Sequence, residues 1–314
     1  MNPSCRRILE LSPRQLTSSL QGGGLFIDYG ACRVRARADA AGFSPVFQAV
    51  YGAFEYIPVA EFADFHVRLL PGRGIRRWLR PIVRFGIDGV EPFEPFPLAN
   101  ALPLYEWGVN WCFAQRFNQF VLLHAGALAI DDRAVLMAAV PGSGKSTLSA
   151  ALMLSGFRLL SDEFGVLQPD TGGLLPMLKP VALKNRSIDV IRAFSDQARL
   201  GPTFADTRKG DVAHLAPDEA SVAAVGRAAQ PALVIFPAYR EGAPLTLTSQ
   251  PPEQAFARLA FNSFNYALLG PVSFHAVAAV AASCPAYELR YGRLEDAVSC
   301  LRELLSTAGP RVEH

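Results

Sequence analysis

The run Ala139-Val-Pro-Gly-Ser-Gly-Lys-Ser-Thr147 places two glycines, a lysine and two hydroxyls at the spacing of a loop that cradles phosphate. Gly142 and Gly144 let the backbone turn sharply, so that successive N–H groups, with Pro141 and Ser143 completing the turn, point inward at phosphate oxygens. The start of the helix that follows adds partial positive charge. In such a loop Lys145 reaches the β- and γ-phosphates of a nucleotide. Ser146 offers its hydroxyl to Mg²⁺, and Thr147 is a second donor. The flanks agree. Ala134 to Val140 is an apolar run of strand length, and Thr147 to Ser155 carries apolar residues on every helical turn, with Gly156 as a stop. The pattern's first glycine is replaced by Ala139, which a loop tolerates if that residue keeps a negative φ.

Asp162 and Glu163 directly follow a second strand-like run, Phe157 to Ser161. In open α/β sheets ligands lie beyond the carboxyl ends of strands. If the two strands run parallel, the acidic pair arrives at the edge where the glycine loop sits. One carboxylate can then hold Mg²⁺, directly or through water, and the other accept a proton from an attacking hydroxyl. His124 stands in the apolar strand Phe120–Ile130, before Ala125-Gly126. Taken alone it reads as a core histidine.

These residues need an α/β frame to bring them together. The region from 1 to about 100 reads as β-rich, with strands at Gly24–Tyr29, Cys32–Arg37 and Phe65–Leu70. Prolines 92, 95, 97 and 103 mark residues 92–103 as a linker. Beyond it, Tyr105–Phe120 reads as a helix packed on its Trp107, Trp111 and Phe120 side. Phe120–Ile130 then turns at Asp131-Asp132 into the loop strand. Leu174–Lys184 reads as extended and Ser187–Phe194 as a short helix. Residues 195–230 show no period and read as a mobile loop. Strands follow at Ala232–Phe236, Pro244–Thr248 and Ala286–Tyr291, with helices at Pro252–Tyr266, Val272–Ser283 and Leu294–Ser306. The domains so defined are 1–100 and 101–314.

Composition sets outer limits. With 314 residues, 50% apolar and 18% charged, the chain can bury a sizeable core. A net charge of +2 points to no general nucleic-acid binding. The five cysteines, Cys5, Cys32, Cys112, Cys284 and Cys300, show no paired spacing, which suggests a reducing compartment and no zinc site. No apolar run reaches the roughly 18 residues that span a bilayer, and no signal-like segment follows the N-terminus. A soluble, cytoplasmic protein is the expectation.

The order His124-Ala-Gly, Asp131-Asp132, Val135–Val140, Gly142–Ser146, Ser155-Gly156, Leu159-Leu160-Ser161, Asp162-Glu163 resembles the kinase domain of the HPr kinase/phosphorylase family, and within it the HPr-kinase-related branch. The resemblance covers residues 120–195 well and the remainder of that region weakly. It implies an α/β phosphate-loop kinase domain of the HPr-kinase/carboxykinase-like type behind a smaller N-terminal β-rich domain. The cofactors implied are ATP and Mg²⁺. By the same resemblance Lys145 and Ser146 would bind phosphate and metal, Asp162 would be the general base, Glu163 would stand near the metal, and His124 would line the phosphate site. Three positions depart from the family pattern. Ala139 replaces a glycine, Glu163 stands for a second Asp, and Leu183–Val190 replaces an Arg-Gly-rich signature, so phosphorolysis is not expected.

The activity so implied is transfer of the γ-phosphate to a hydroxyl, a Ser of a protein or peptide. A small metabolite as acceptor, and a nucleotide-binding switch without transfer, stay open as alternatives. Arg208 and Lys209, before Gly210, can close over a triphosphate as a lid; Lys184 and Arg186 are similar candidates. Arg68, Arg73, Arg76, Arg77, Arg80 and Arg84, with Trp78 among them, have no acid between Asp64 and Asp88 and can grip an acidic or membrane partner. No nucleic-acid motif accompanies that charge. Asn262–Tyr266 offers polar groups at a helix end. Family members form hexamers, so a homo-oligomer is possible, though no feature of this chain demands one.

Overall fold

The computed structural model describes residues 6–57, 62–74, 79–140 and 142–307. The first third builds a seven-stranded sheet. Its elements are β1 (Arg6–Arg7), α1 (Pro13–Gln21), β2 (Leu25–Asp28), β3 (Arg33–Ala38), α2 (Phe43–Tyr51), β4 (Glu55–Ile57), β5 (Phe65–Pro71), β6 (Ile82–Ile87) and β7 (Phe96–Pro97), followed by the long helix α3 (Ala101–Arg116). The strand order is β1-β4-β2-β3-β5-β6-β7. In β3, Val34, Ala36 and Ala38 point into the core while the intervening arginines stay half-exposed, the period-2 alternation of a strand covered on one face.

Two helices join a region that reads as β-rich from its sequence. α1 has a local signal: Ser12 and Gln15 form a reciprocal capping box ahead of Pro13 at the first turn, worth about 1 kcal/mol. The proline-rich segment 92–103 is a packed edge rather than a linker. Phe96 pairs with Val83 of β6, and the Phe93 ring lies 4.3 Å from Trp107. Prolines are tolerated there because an edge strand has N–H positions that need no ladder partner.

The second sheet has eight strands. Its chain order runs β8 (Val121–Ile130), β9 (Arg133–Ala138), α4 (Lys145–Leu154), β10 (Arg158–Ser161), β11 (Phe164–Leu167) and β12 (Leu174–Leu175). Next come β13 (Val181–Lys184), α5 (Arg186–Phe194), β14 (Phe204–Thr207), β15 (Gly210–Leu215) and α6 (Glu219–Ala223). The chain closes with β16 (Gln230–Tyr239), β17 (Thr246–Gln250), α7 (Pro252–Phe261), α8 (Tyr266–Leu269), α9 (Pro271–Ser283), β18 (Ala286–Tyr291) and α10 (Leu294–Thr307). The sheet order is β12-β11-β8-β9-β16-β18-β17, with β10 also on β8. Within this sheet, among the described residues, β9–β16 and β16–β18 pair in parallel and the other pairs antiparallel. β9 and the middle of β16 are apolar and buried, as strands covered on both faces must be, whereas β18 carries Glu288 and Arg290 and is covered only in part.

The sheet separates two apolar layers. One face packs on α4, α10 and onward into the N-terminal sheet, while the other packs on α7 and α9 through Ala255, Leu259, Val277 and Val280. The first layer is continuous across residue 100, because α3 buries Leu102, Tyr105, Val109 and Phe113 between the sheets. That is the face opposite the one its tryptophans suggest. Residues 195–230 are ordered too: β13, β15 and β14 form a small third sheet, and Asp218 caps α6. The turn Arg208–Gly210 closes the β14–β15 hairpin, and its register irregularity masks the alternation in the sequence.

Candidate functional site

β8 is the spine of the site. Ala138, the last residue of β9 before the glycine loop, pairs with Ala125. On the other side of β8, Ser161 pairs with Ala127 and Phe164 with His124. β10 and β11 are therefore two pieces of one antiparallel partner, and Asp162-Glu163 is the irregular break between them. β9 and β10 both run antiparallel to β8, so they share a direction and end at the same edge. The acidic pair thus reaches the loop across one intervening strand. Ser161 Oγ holds the break open, accepting from the backbone N–H of Glu163 at 3.2 Å and of Phe164 at 3.0 Å. Bulges of this kind re-aim side chains.

Alternation along β8 decides which residues face the loop helix. Leu122 and Leu128 join the layer under α4, whereas Leu123, Ala125 and Ala127 join the layer under α7 and α9. His124 and Gly126 belong to the α4 face by the same period. A side chain at position 126 would meet Ser149 Oγ at 2.9 Å and Met137 Cε at 3.3 Å. Glycine there lets α4 lie close on the sheet, which brings Lys145 within reach of the acidic pair.

Gly142 and Gly144 adopt φ of 87° and 90°, while Ala139 stays outside the positive-φ region. Gly144 is required twice over, since a Cβ would also meet Tyr291 Oη at 2.8 Å and Tyr239 Cβ at 2.9 Å. α4 has no side-chain N-cap bond, so its first N–H groups are left for an anion. Ser143 Oγ is buried without a hydrogen-bond partner. Ser146 opens onto the adjoining cleft, and Thr147 is half-buried in the first turn. Pro141 lies outside the described residues.

Lys145 and Asp162 are both 8% exposed. The lysine ammonium donates to the Asp162 carbonyl oxygen and stands 3.7 Å from its carboxylate Oδ1. That Oδ1 is buried and accepts no hydrogen bond. Glu163 Oε1 lies 3.5 Å from His124 Nε2. Burial lowers the His124 pKa, against the opposing pull of Glu163, so the ring is neutral near pH 7. Among the described residues no cluster of three or more His, Cys, Asp or Glu is placed to hold a metal. The Ser146 hydroxyl and the unpartnered Asp162 oxygen fit instead a hard cation that takes its other ligands from water and phosphate, as Mg²⁺ does.

From Ser146 and Asp162 a cleft of about 460 Å³ opens toward α3. Its far wall is one stripe of that helix, at positions 103, 106, 107, 110, 111, 114 and 115, joined by Phe96 of β7. Trp107 and Trp111 thus line a cleft, with Trp111 also packed against the edge of the core. At the floor, Glu106 and Lys179 form a buried ion pair at 3.1 Å. Lys179 also donates to the Glu106 carbonyl and to Asn110 Oδ1, each at 2.7 Å. Tyr51, at the end of α2, donates to Glu106 Oε1 at 2.6 Å. Burial and then Glu106 push the Tyr51 pKa well up, so it stays a protonated donor. His214, at the same floor, is buried with Nδ1 unpartnered, and desolvation lowers its pKa.

Three cations complete the lining: Lys184, Arg208 and Lys209. Burial, then Lys209, lowers the Lys184 pKa. Arg208 does not fold over the glycine loop but lies over the Phe96 ring, 5.1 Å from its centroid. Arg208 and Lys209 sit on the formed β14–β15 hairpin across the cleft. Arg186 is spent in an exposed pair with Glu241. Asn262–Tyr266 mostly ties down β8, as Asn265 Oδ1 accepts from Leu122 N and Ser263 donates to Leu122 O. Only Phe264 of that segment lines the cleft.

In the arginine stretch, Arg68 pairs with Asp39, and Arg73 and Arg84 with Glu91, acids that lie elsewhere in the chain. Arg76, Arg77 and Trp78 are outside the described residues. A second depression of about 570 Å³, beside Asp170, Gln230 and His275, shares no residue with the site. No helix among the described residues is long and apolar enough to cross a membrane.

The cleft residues that sequence reading missed are Phe96, Trp107, Trp111, Lys179 and His214. The spacing of the two tryptophans was a visible stripe, but which way it faced was not.

No protein family and no curated protein matches this sequence. Among solved structures, the Hpr(Ser) kinase/phosphatase from Coxiella burnetii aligns over 59% of this chain and 93% of its own, at 14% identity and a TM-score of 0.26. A likeness at that level says nothing about what the site does.

Proposed function

We propose that the protein is an ATP- and Mg²⁺-dependent kinase that phosphorylates a hydroxyl, a serine of a protein or peptide. The observation that carries this reading is Asp162. It is a buried carboxylate with an unpartnered oxygen, held between the lysine of a glycine loop and an open cleft. A base needs that position: beside the phosphate-binding group, and facing the side from which an acceptor enters.

In this reading the N–H groups of the loop and of the first turn of α4 hold the phosphates, and Lys145 stabilises charge on the transferred group. The acceptor oxygen forms its bond to the γ-phosphorus as the bond to the β,γ-bridging oxygen breaks. The acceptor's proton passes to Asp162, and ADP leaves. Ser146, with Glu163 near it, would hold Mg²⁺, which neutralises phosphate charge when bound and leaves Asp162 to take the proton. Glu163 and neutral His124 brace each other at the edge of the site. Lys184 and Lys209 add positive charge opposite the loop.

The test is transfer of labelled γ-phosphate from ATP and Mg²⁺ to an extract of source cells, with products split into macromolecular and small fractions. Wild type should label the macromolecular fraction, while Lys145→Ala and Asp162→Asn should not. Label only in small molecules would replace the protein acceptor with a metabolite. Nucleotide binding without transfer would overturn the kinase reading.

A further inference from the structure

The wall opposite Asp162 has a chemistry of its own. Phe96, Trp107 and Trp111 present aromatic surface, with the Phe96 and Trp107 rings 5.9 Å apart. Trp107 remains 37% exposed, which is a large indole left open to solvent beside a cleft. An aromatic surface left open beside a cleft is suited to stack on a ligand's ring.

The charge on this side is unbalanced. Two carboxylates of the cleft are paired with cations, Glu106 with Lys179 and Asp162 with Lys145, while Glu163 lies 3.5 Å from the neutral His124. Among the described residues no carboxylate forms an ion pair with Lys184, Arg208 or Lys209. These cations divide by position. Lys184 feels Lys209 and Lys145 and faces the acidic pair, which puts it on the phosphate side. Arg208 lies on the Phe96 ring, which puts it on the aromatic side. A guanidinium stacked on one ring keeps its edge donors free for a carboxylate.

The apolar lining also runs out of the cleft. Phe264 is 45% exposed at its rim, and the neighbouring Phe261 and Leu268 are 86% and 70% exposed. A small molecule filling the cleft would have no use for that extension, whereas a chain passing through would.

We infer that the aromatic side is the acceptor subsite, and that it takes a peptide segment whose serine is flanked by an aromatic residue and an acidic one. The aromatic group would stack on Trp107 and Phe96, and the acid would pair with Arg208. This inference rests on the kinase reading for the fate of the serine but not for the binding itself.

The experiment therefore measures both. Anisotropy of labelled peptides is recorded with the full chain, Mg²⁺ and a non-hydrolysable ATP analogue, and transfer is measured in parallel with ATP. The peptides carry one serine between Trp and Glu, between Ala and Glu, between Trp and Lys, or between Ala and Lys. The Trp/Glu peptide should bind at least about tenfold tighter than Ala/Lys, in line with one aromatic contact plus one charge pair. Trp107→Ala should remove the aromatic preference while nucleotide affinity holds, and Trp107→Phe should restore most of it. Arg208→Glu should turn the preference from Glu to Lys.

Equal binding of all four peptides, or a preference untouched by Trp107→Ala and Arg208→Glu, overturns the subsite. Selective binding with no transfer keeps the subsite and removes the kinase reading. Transfer with no peptide selectivity does the reverse.

Discussion

The glycine loop is one short stretch of chain that meets the cleft through Ser146, whereas Phe96, Trp107 and Arg208 reach its other side from three separate parts of the fold. In the proposed function the glycine loop would make its anion site out of its own backbone, from two positive-φ glycines and an uncapped helix start. It needs from the rest of the fold mainly room, which Gly126 provides. The aromatic side has no such autonomy. It exists only because α3 packs between two sheets and turns its tryptophan stripe outward. One side is set by local covalent geometry, the other by long-range packing. The second can therefore change its preferences while the first is left intact.

That contrast can be broken most sharply at Lys145. Lys145→Ala should lower transfer by about 10³-fold, the range for removing a charge-stabilising group, while leaving peptide anisotropy unchanged. If peptide binding fell equally, the two sides would not be separable.

A structural break of the aromatic side should come from its floor. Glu106→Ala leaves Lys179 buried without its carboxylate and Tyr51 without its acceptor, and should cost about 3–5 kcal/mol in denaturant unfolding. Glu106→Gln should recover part of that loss, because its amide oxygen can still accept from Tyr51. An unchanged midpoint for Glu106→Ala would mean that α3 is held by its apolar face alone.

A smaller effect probes the loop side's one tertiary need. Gly126→Ala places a methyl against Ser149 and should destabilise by about 1–3 kcal/mol as α4 is pushed outward. Nucleotide affinity should fall with it. A change in stability with no change in nucleotide binding would uncouple the position of α4 from the anion site.

The least effect concerns pH. Burial lowers the His214 pKa below its ordinary value of 6.5, so near and below that pH the unfolded chain binds more protons than the folded one. His214 is thus compatible with full stability above about pH 6.5, and stability falls as acid protonates the unfolded form first. His214→Phe should flatten the slope between about pH 6.5 and 5 and leave neutral-pH stability within about 1 kcal/mol. An identical slope would assign the acid loss to other groups.

How far each part could be read ahead of the structure follows the same division. β9, the glycine loop and α4 were legible because an apolar run of strand length, a glycine turn and a run with apolar residues on every helical turn are each written into adjacent residues. β14 and β15 were not, since the irregular register between Phe204 and Thr207 hides the alternation that a strand needs to be seen. The segment 92–103 misled through its prolines, which an edge strand accommodates. α3 was legible as a helix, but its orientation was not: Trp107 and Trp111 on one face and Leu102, Tyr105 and Val109 on the other are both apolar stripes.

What the sequence determined alone is the loop, since glycine's freedom at positive φ and the uncapped start of a helix are properties of a few neighbouring residues. It also determined that an acidic pair follows the next strand. The tertiary structure decided that β8 lies between the two, that Lys145 meets Asp162 across it, and that α3 gives its tryptophans to a cleft. Those outcomes turn on which of several apolar faces is covered. That choice is made by the summed burial of elements far apart in the chain, and hydrophobic burial has no direction written into any single residue.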